Sequence, residues 1–507
     1  MELSRLDFLK GTLASIGLGP FGGGRLFAAP PGWAEKTAGK SPNLVFGVVS
    51  DTHLCTSPNG GWIDWEWHGE YFAAALRHFR DQNVDAVLHL GDLAHRGQVE
   101  ELAAHAEIWR KTFPRDLASD GRKVERLFIT GNHDRESGNN EPGKEFTSAI
   151  YPDEEERKRH ILETDMAANW ERVWGEKYAD VWHREVKGYH FFGRQWGVDE
   201  MEAVRLVREF QRKERIAQSG RPFFLLSHQR YYTKPFAKAI RRYPNAVAFH
   251  GHNHKSAANW NVIGMTGGIP DVQCPACSAR GWSGLIRDAY ISTARLEGVA
   301  DTGKARQGYV VRVYDDMLAI ERLEFGRGGK LGADWVMPFG DRTPHPFSRE
   351  ELKKVIGEPQ FREGAKLELR QFADWNAFRE GAVLATQGLS FGTRFQAKSD
   401  MKDAAERIAP ADPSIALYIP KADGNPDSRV YAYEIEVSGE TKLVKAVYAA
   451  GINFGDGNEP NGGVTTLLIR EAELPKGETL AFSATPLTSL GTRGRSITAE
   501  FRIQTRK

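Results

Sequence analysis

The sequence is poor in cysteine: Cys55, Cys274 and Cys277 are the only three in 507 residues, too few for a disulfide-stapled scaffold. Cys274-Pro275-Ala276-Cys277 has C-x-x-C spacing, yet no second pair completes a zinc ribbon and no βαβ pattern surrounds it as a thioredoxin motif requires. A local disulfide and two free thiols in a turn both stay open there. Net charge is missing as well, since 68 Lys and Arg stand against 67 Asp and Glu, leaving +1 and no basic stripe. That balance argues against nucleic acid as a partner. Long apolar runs are also lacking. Gly11–Phe21 (GTLASIGLGPF) is too short and too glycine-rich to span a bilayer, so no transmembrane anchor is expected.

What is there begins with 40% hydrophobic residues, ample for buried cores, in a chain longer than one ordinary domain. Two domains behind a leader are expected. Residues 1–30 read as an export signal: Arg5 and Lys10 precede a modest apolar stretch, and Ala28-Ala29-Pro30 offers a cleavage zone. Ser4–Lys10 (SRLDFLK) resembles the twin-arginine signal S-R-R-x-F-L-K, with Leu6 where the second arginine belongs. The expected location is the periplasm of a bacterial envelope or the exterior, with the cytoplasm as the alternative.

Five short segments carry the chemistry: Asp51-Thr52-His53, Gly91-Asp92, Gly131-Asn132-His133-Asp134, His228, and Gly251-His252-Asn253-His254. Each follows an apolar run that reads as a buried strand, namely 43–50, 84–90, 124–130, 222–227 and 245–250. Such runs, alternating with amphipathic stretches, predict α/β layering and set the polar clusters at the carboxyl edge of one sheet, where ligands of these folds gather. A lone Asp-x-His is usually a surface hydrogen-bonded pair. Five clusters of imidazole, carboxylate and carboxamide, all just past buried strands, instead make a donor set suited to zinc, manganese or iron.

These segments resemble the calcineurin-like metallophosphoesterase family, whose pattern is D-x-H, G-D, G-N-H-[D/E], H and G-H-x-H in that order. The resemblance implies layered β-sheets flanked by helices and two divalent metal ions. It implies that Asp51, His53 and His254 hold one metal, that Asn132, His228 and His252 hold the other, and that Asp92 bridges them. A metal-bridging hydroxide would attack phosphorus in a small-molecule phosphate ester, monoester or diester, with nucleotides and glycerophosphodiesters among the candidates. His133 would be the general acid, and Asp134 would orient its ring and stabilise the imidazolium. The alternative is a non-catalytic metal-binding scaffold that keeps the fold. Asp51-x-His53, together with His95 where purple acid phosphatases carry a tyrosine, points to the bacterial branches.

Other residues are read against simpler roles. His89 and His250 lie in the strands and are expected to donate to backbone carbonyls, while His68, His78, His105, His160, His183, His190 and His345 are expected on the surface or on helix faces. His95 and Arg96 read as an exposed loop pair that could also contact substrate. Trp62, Trp65 and Trp67 either wall the pocket, or Trp65 and Trp67 pack the helix expected over 66–81. Arg135 and Arg230 either neutralise a phosphate oxygen or face solvent.

A helix is expected over 201–218, and a hairpin over 309–325 turns at Asp315-Asp316 and closes a catalytic domain spanning 43–340. A linker follows over 341–360. Residues 361–507 hold strand-like segments at 366–370, 414–419, 430–437, 443–449, 479–484 and 497–503, the pattern of an all-β sandwich. That domain either braces the catalytic one or binds a glycan or surface partner.

Overall fold

The structure is a computed structural model describing residues 39–56, 65–135, 151–216, 219–259, 262–277, 296–297, 306–326, 329–332, 334–338, 357–373, 389–390, 414–423, 429–450, 452 and 460–504. The export segment, the linker at 341–356, Trp62 and His345 lie outside them, as do the side chains of Trp65, Trp67 and His68.

Two six-stranded sheets stack face to face. The first contains β1 (Leu44–Val49), β2 (Ala86–Leu90), β3 (Glu125–Ile129), β11 (Gln307–Val313), β12 (Met317–Glu324) and β13 (Trp335–Pro338), in the order β13-β12-β11-β1-β2-β3. The second contains β4 (Val181–Val186), β5 (Tyr189–Arg194), β6 (Phe223–Ser227), β7 (Ala246–His250), β8 (Ile263–Thr266) and β9 (Ile269–Gln273), in the order β4-β5-β6-β7-β9-β8. The expectation of one sheet is therefore corrected. β1, β2 and β3 run parallel in the first sheet and β6 and β7 parallel in the second, so the five polar segments come from two sheets.

Why the strand sequences are apolar on both faces follows from this stacking. Phe46 and Leu88 of the first sheet and Phe224, Leu226 and Phe249 of the second point into the space between the sheets. The Phe46 ring lies 5.5, 5.1 and 5.9 Å from those of Phe191, Phe224 and Phe249. The intervening residues pack outward. Val87 and Phe128 meet α1 (Trp65–Asp81), α2 (Val99–Thr112) and α3 (Met166–Trp174), while Phe223 and Leu225 meet α4 (Glu200–Glu214). Strands covered on both sides show continuous apolar runs rather than alternation.

α4 ends at Glu214, short of the expected 218, because Arg215 adopts a left-handed conformation (φ 51°) and donates its N–H to the Gln211 carbonyl. The hairpin of β11 and β12 is present, and β11 pairs antiparallel with β1. No helix among the described residues is long and apolar enough to cross a membrane.

The C-terminal region forms further β-sheets. One orders β10 (Leu296–Glu297), β20 (Lys442–Tyr448), β19 (Val430–Ser438), β22 (Thr479–Thr488) and β23 (Ile497–Arg502). The other contains β15 (Glu368–Phe372), β17 (Ser414–Ile419), β21 (Thr465–Arg470) and β16 (Leu389–Ser390). Ile415, Leu417 and Ile469 of one face Tyr433, Ile435 and Phe482 of the other across a shared core. The pairing is antiparallel except where the short β10 and β16 join. β14 (Gln360–Phe361) and β18 (Ala422–Asp423) make a separate pair. This part touches the loop that leaves the fifth polar segment: Ala258 packs with Tyr431, Tyr448 and Leu487, and Asn259 Nδ2 donates to the Tyr431 hydroxyl at 3.1 Å.

Candidate metal centre

The loops leaving β1, β2, β3, β6 and β7 meet at one end of the two stacked sheets. Their approach requires small residues. A Cβ on Gly131 would sit 2.2 Å from Asp92 Oδ1, and one on Gly91, already at φ +94°, would sit 2.6 Å from His228 Nδ1. Asp51, His53, Asp92, His252 and His254 all hold positive φ, between 45° and 74°. Left-handed backbone costs a non-glycine residue about 1–3 kcal/mol and persists where surrounding structure over-determines it.

Asp51, His53, Asp92 and His254 each offer one donor atom, all within 4.8 Å of one another. His254 Nε2 lies 3.1 Å from Asp51 Oδ1 and 3.1 Å from His53 Nε2, and His53 Nε2 lies 3.6 Å from Asp92 Oδ2. On the other side of Asp92, His228 Nε2 is 3.2 Å from Asp92 Oδ2 and 3.1 Å from Asn132 Oδ1, while His252 Nδ1 is 3.0 Å from the same Asn132 oxygen and 3.2 Å from His228 Nε2. Asp92 thus stands between two sets of donors.

His228 Nδ1 lies 2.7 Å from the Leu90 carbonyl, to which it must donate. In the neutral ring Nε2 is then a lone pair, aimed at a carboxylate oxygen, a carboxamide oxygen and a second imidazole. Acceptors gathered in this way repel unless a cation lies among them. A proton supplies that charge at His228: burial works against it, but the Asp92 carboxylate overrides burial and raises the ring to about 9. Burial alone would raise the Asp51 and Asp92 carboxyls. The His254 and His228 rings instead hold Asp51, and the His228 and His133 rings hold Asp92, well below the ordinary range. His53 is held well below its ordinary value by burial first and then by the His133, His254 and His95 rings. The oxygen and imidazole donors present fit divalent transition metals.

His133, on the helical turn Asn132–Arg135, places its ring 4.5 Å from that of His53 and its Nδ1 2.8 Å from the His95 carbonyl. Asp134 does not orient that ring. Its carboxylate accepts the backbone N–H groups of Gly131 (2.7 Å), Ala94 (2.7 Å) and Leu93 (3.2 Å), tying the β2 and β3 loops together. Its position explains the difference: Asp134 is buried beneath the turn, and burial together with the Asp92 charge pushes its carboxyl up to about 7.

Several other expectations are corrected. His95 and Arg96 are not an exposed pair; both are buried, and the His95 ring stacks on His133 at 5.4 Å and 18°. His105 is wholly buried, its Nε2 3.0 Å from the Thr52 hydroxyl, and His89 meets the same hydroxyl rather than a carbonyl. Arg230 neither faces solvent alone nor reaches the centre. Its Nε pairs with buried Asp271 at 2.5 Å. Arg135 donates to the Trp196 carbonyl at 3.0 Å. Cys55, Cys274 and Cys277 are buried, and none of them is in a disulfide.

Trp196 escaped the reading of the sequence. Its ring lies 5.7 Å from those of His228 and His252, forming a half-buried aromatic wall beside the centre. The available signal was its place just past β5, at the same edge as the metal-donor segments.

Comparison with known proteins decides the family of this region. Residues 44–256 match the family model described as calcineurin-like phosphoesterase. The chain carries a calcineurin-like phosphoesterase domain. Residues 44–256 thus match a family of phosphoesterases, and the Asp and His cluster within them is the candidate metal centre. Among solved structures, a dimetal phosphatase from Danio rerio is 10% identical, with 59% of this chain and 100% of that chain covered and a TM-score of 0.31. Purple acid phosphatase PPD1 from yellow lupin (Lupinus luteus) seeds is 13% identical, with 59% and 55% covered and a TM-score of 0.33. Wild-type Vps29 complexed with zinc, from Entamoeba histolytica, is 11% identical, with 59% and 100% covered and a TM-score of 0.25. No curated protein sequence matches the chain.

Proposed function

We propose that the calcineurin-like domain hydrolyses small phosphate esters at a dinuclear centre, with Asp51, His53 and His254 holding one divalent cation, Asn132, His228 and His252 the other, and Asp92 shared. The observation that carries this reading is the pair of donor sets on either side of Asp92. Two divalent cations, when bound, lower the pKa of a water and offset charge on the phosphoryl oxygens.

The chain's own residues supply the remainder. The Leu90 carbonyl fixes the tautomer of His228, and the N–H of His133 holds Asp92 Oδ1 at 2.8 Å, so the shared carboxylate keeps its orientation. His133, whose Nδ1–H donates to the His95 carbonyl, carries a second proton at Nε2 and gives that Nε2 proton to the departing ester oxygen. Asp134 acts on the backbone, fixing where the Asp92 and Asn132 loops meet. Trp196 is placed to stack on a flat leaving group. The N-terminal segment supports action in the envelope or outside the cell, and the C-terminal sheets, packed on the loop after His254, support a bracing role.

The test compares turnover of a mono-aryl with a bis-aryl phosphate by the wild-type chain and by His133→Ala. Replacing His133 should leave metal content intact and lower turnover about 10²–10⁴-fold, most for poor leaving groups. Unchanged turnover removes His133 from the reaction, and the ratio of the two substrates in the wild-type chain decides monoester against diester.

A further inference from the structure

A second group of imidazoles and carboxylates lies on the second sheet, away from the centre. β4 and β5 are joined by the two-residue turn Lys187-Gly188, with φ of 50° and 79°, the positive pair that tight hairpins need. This turn fixes the register, so Glu185 faces His190 and His183 faces Phe192, and all four side chains project from one side. α4 covers that side and delivers Glu214 just before its left-handed cap. His190 Nε2 lies 3.5 Å from Glu214 Oε2, and its Nδ1 lies 3.0 Å from His183 Nε2. From His190 to Gln195, which meets Thr130 at the centre's edge, five strand residues span about 16 Å.

We propose that Glu185, His190 and Glu214 form a second, separate divalent-cation site, suited to zinc, that clamps the β4–β5 hairpin to the end of α4. Each residue offers one donor atom, and the three atoms lie within 4.8 Å of one another. Two carboxylates that close repel, and Glu214 also sits at the helix end where the macrodipole disfavours an anion, so this place favours a cation on two counts. One imidazole with two carboxylates is a donor set zinc accepts, with water completing the shell.

His183 prepares the ligand. Its Nε2 lies 3.0 Å from His190 Nδ1, placed to accept the Nδ1 proton of His190. That hydrogen bond sets the His190 tautomer with Nε2 turned to Glu214, the arrangement metal-binding histidines use. Phe210 holds His183 in place, with ring centroids 3.7 Å apart. Lys213, the nearest lysine in sequence, is paired with Glu209 at 2.6 Å.

The experiment measures zinc bound to the full chain by equilibrium dialysis in a background of Asp92→Ala with His252→Ala, which disables the candidate metal centre. The background should retain about one zinc per chain, and zinc should raise its melting temperature. Adding His190→Ala should abolish both effects, and adding Glu214→Gln should weaken binding tenfold or more, as should removal of the supporting ring in His183→Phe, by about 10–100-fold. A background that binds no zinc, or one whose binding survives both His190→Ala and Glu214→Gln, overturns the proposal. Should the background fail to fold, His190→Ala alone in the native chain must lower bound zinc by one per chain while phosphoesterase activity stays unchanged; equal zinc content overturns the site equally.

Discussion

Thr52→Val probes the least expected support of the metal centre. Thr52 separates Asp51 from His53, and its hydroxyl lies 3.0 Å from His89 Nε2 and 3.0 Å from His105 Nε2, with the Asp92 and Leu93 carbonyls each at 3.3 Å. Both rings are fully buried, and among the described residues their Nδ1 atoms have no hydrogen-bond partner. Valine keeps the shape and removes the hydroxyl, stranding two ring nitrogens at about 1–3 kcal/mol each, or about 2–6 kcal/mol together. Thr52→Ser keeps the hydroxyl and loses one buried methyl, about 1 kcal/mol. Urea unfolding of the two variants should therefore place valine well below serine. Equal midpoints would refute the claim that this hydroxyl carries the two histidines.

The same rings set a pH dependence. Burial pushes His89 down to about 3, against about 6.5 in the unfolded chain. The folded state thus binds fewer protons, so the contribution is intact above pH 6.5 and is lost as pH falls toward 3, at about 1.4 kcal/mol per unit. His89→Phe, set near the rings of Phe72 and Phe128, should flatten that acid slope; an unchanged slope would assign it elsewhere.

Two further outcomes are expected. Gly131→Ala drives a Cβ against Asp92 Oδ1 and should cut hydrolysis about 10²-fold with the fold retained by circular dichroism; wild-type turnover would show that the loop can shift freely. Burial pushes the wholly buried Glu101 up to about 7 from 4.5, so its effect is absent below pH 4.5 and destabilising as pH rises through 7, by about 3 kcal/mol. Glu101→Gln, which can still accept the Arg96 and Gln98 N–H groups, should gain stability at pH 8 and not at pH 4.5, and equal unfolding midpoints at pH 8 would contradict this.

The strands that carry the metal-donor loops were legible because double-sided burial leaves unbroken apolar runs that end in glycine or a polar cluster, as in Phe223–Ser227 before His228. Which strand pairs with which is not written in such runs, so two stacked sheets read as one. Thr465–Arg470 (TTLLIR) went unassigned, although its β-branched Thr465, Thr466 and Ile469 suit a strand, here paired with Ser414–Ile419. His105 read as a helix-face residue, yet the helix side it shares with Leu102 and Trp109 is the one facing the sheet. Asp134 was assigned to its neighbour His133, while its real partners are backbone N–H groups, those of Leu93 and Ala94 from another loop. A contact across loops leaves no mark in local sequence.

The most direct measurement of the central claim is metal content and aryl phosphate hydrolysis in Asp92→Ala beside the wild-type chain. Asp92 Oδ2 lies 3.6 Å from His53 Nε2 and 3.2 Å from His228 Nε2, facing both donor sets, so its loss should remove cations from the centre and lower hydrolysis about 10³-fold or more while the sheets stay folded. An Asp92→Ala chain that keeps wild-type metal content and wild-type turnover would contradict a shared-carboxylate dinuclear centre.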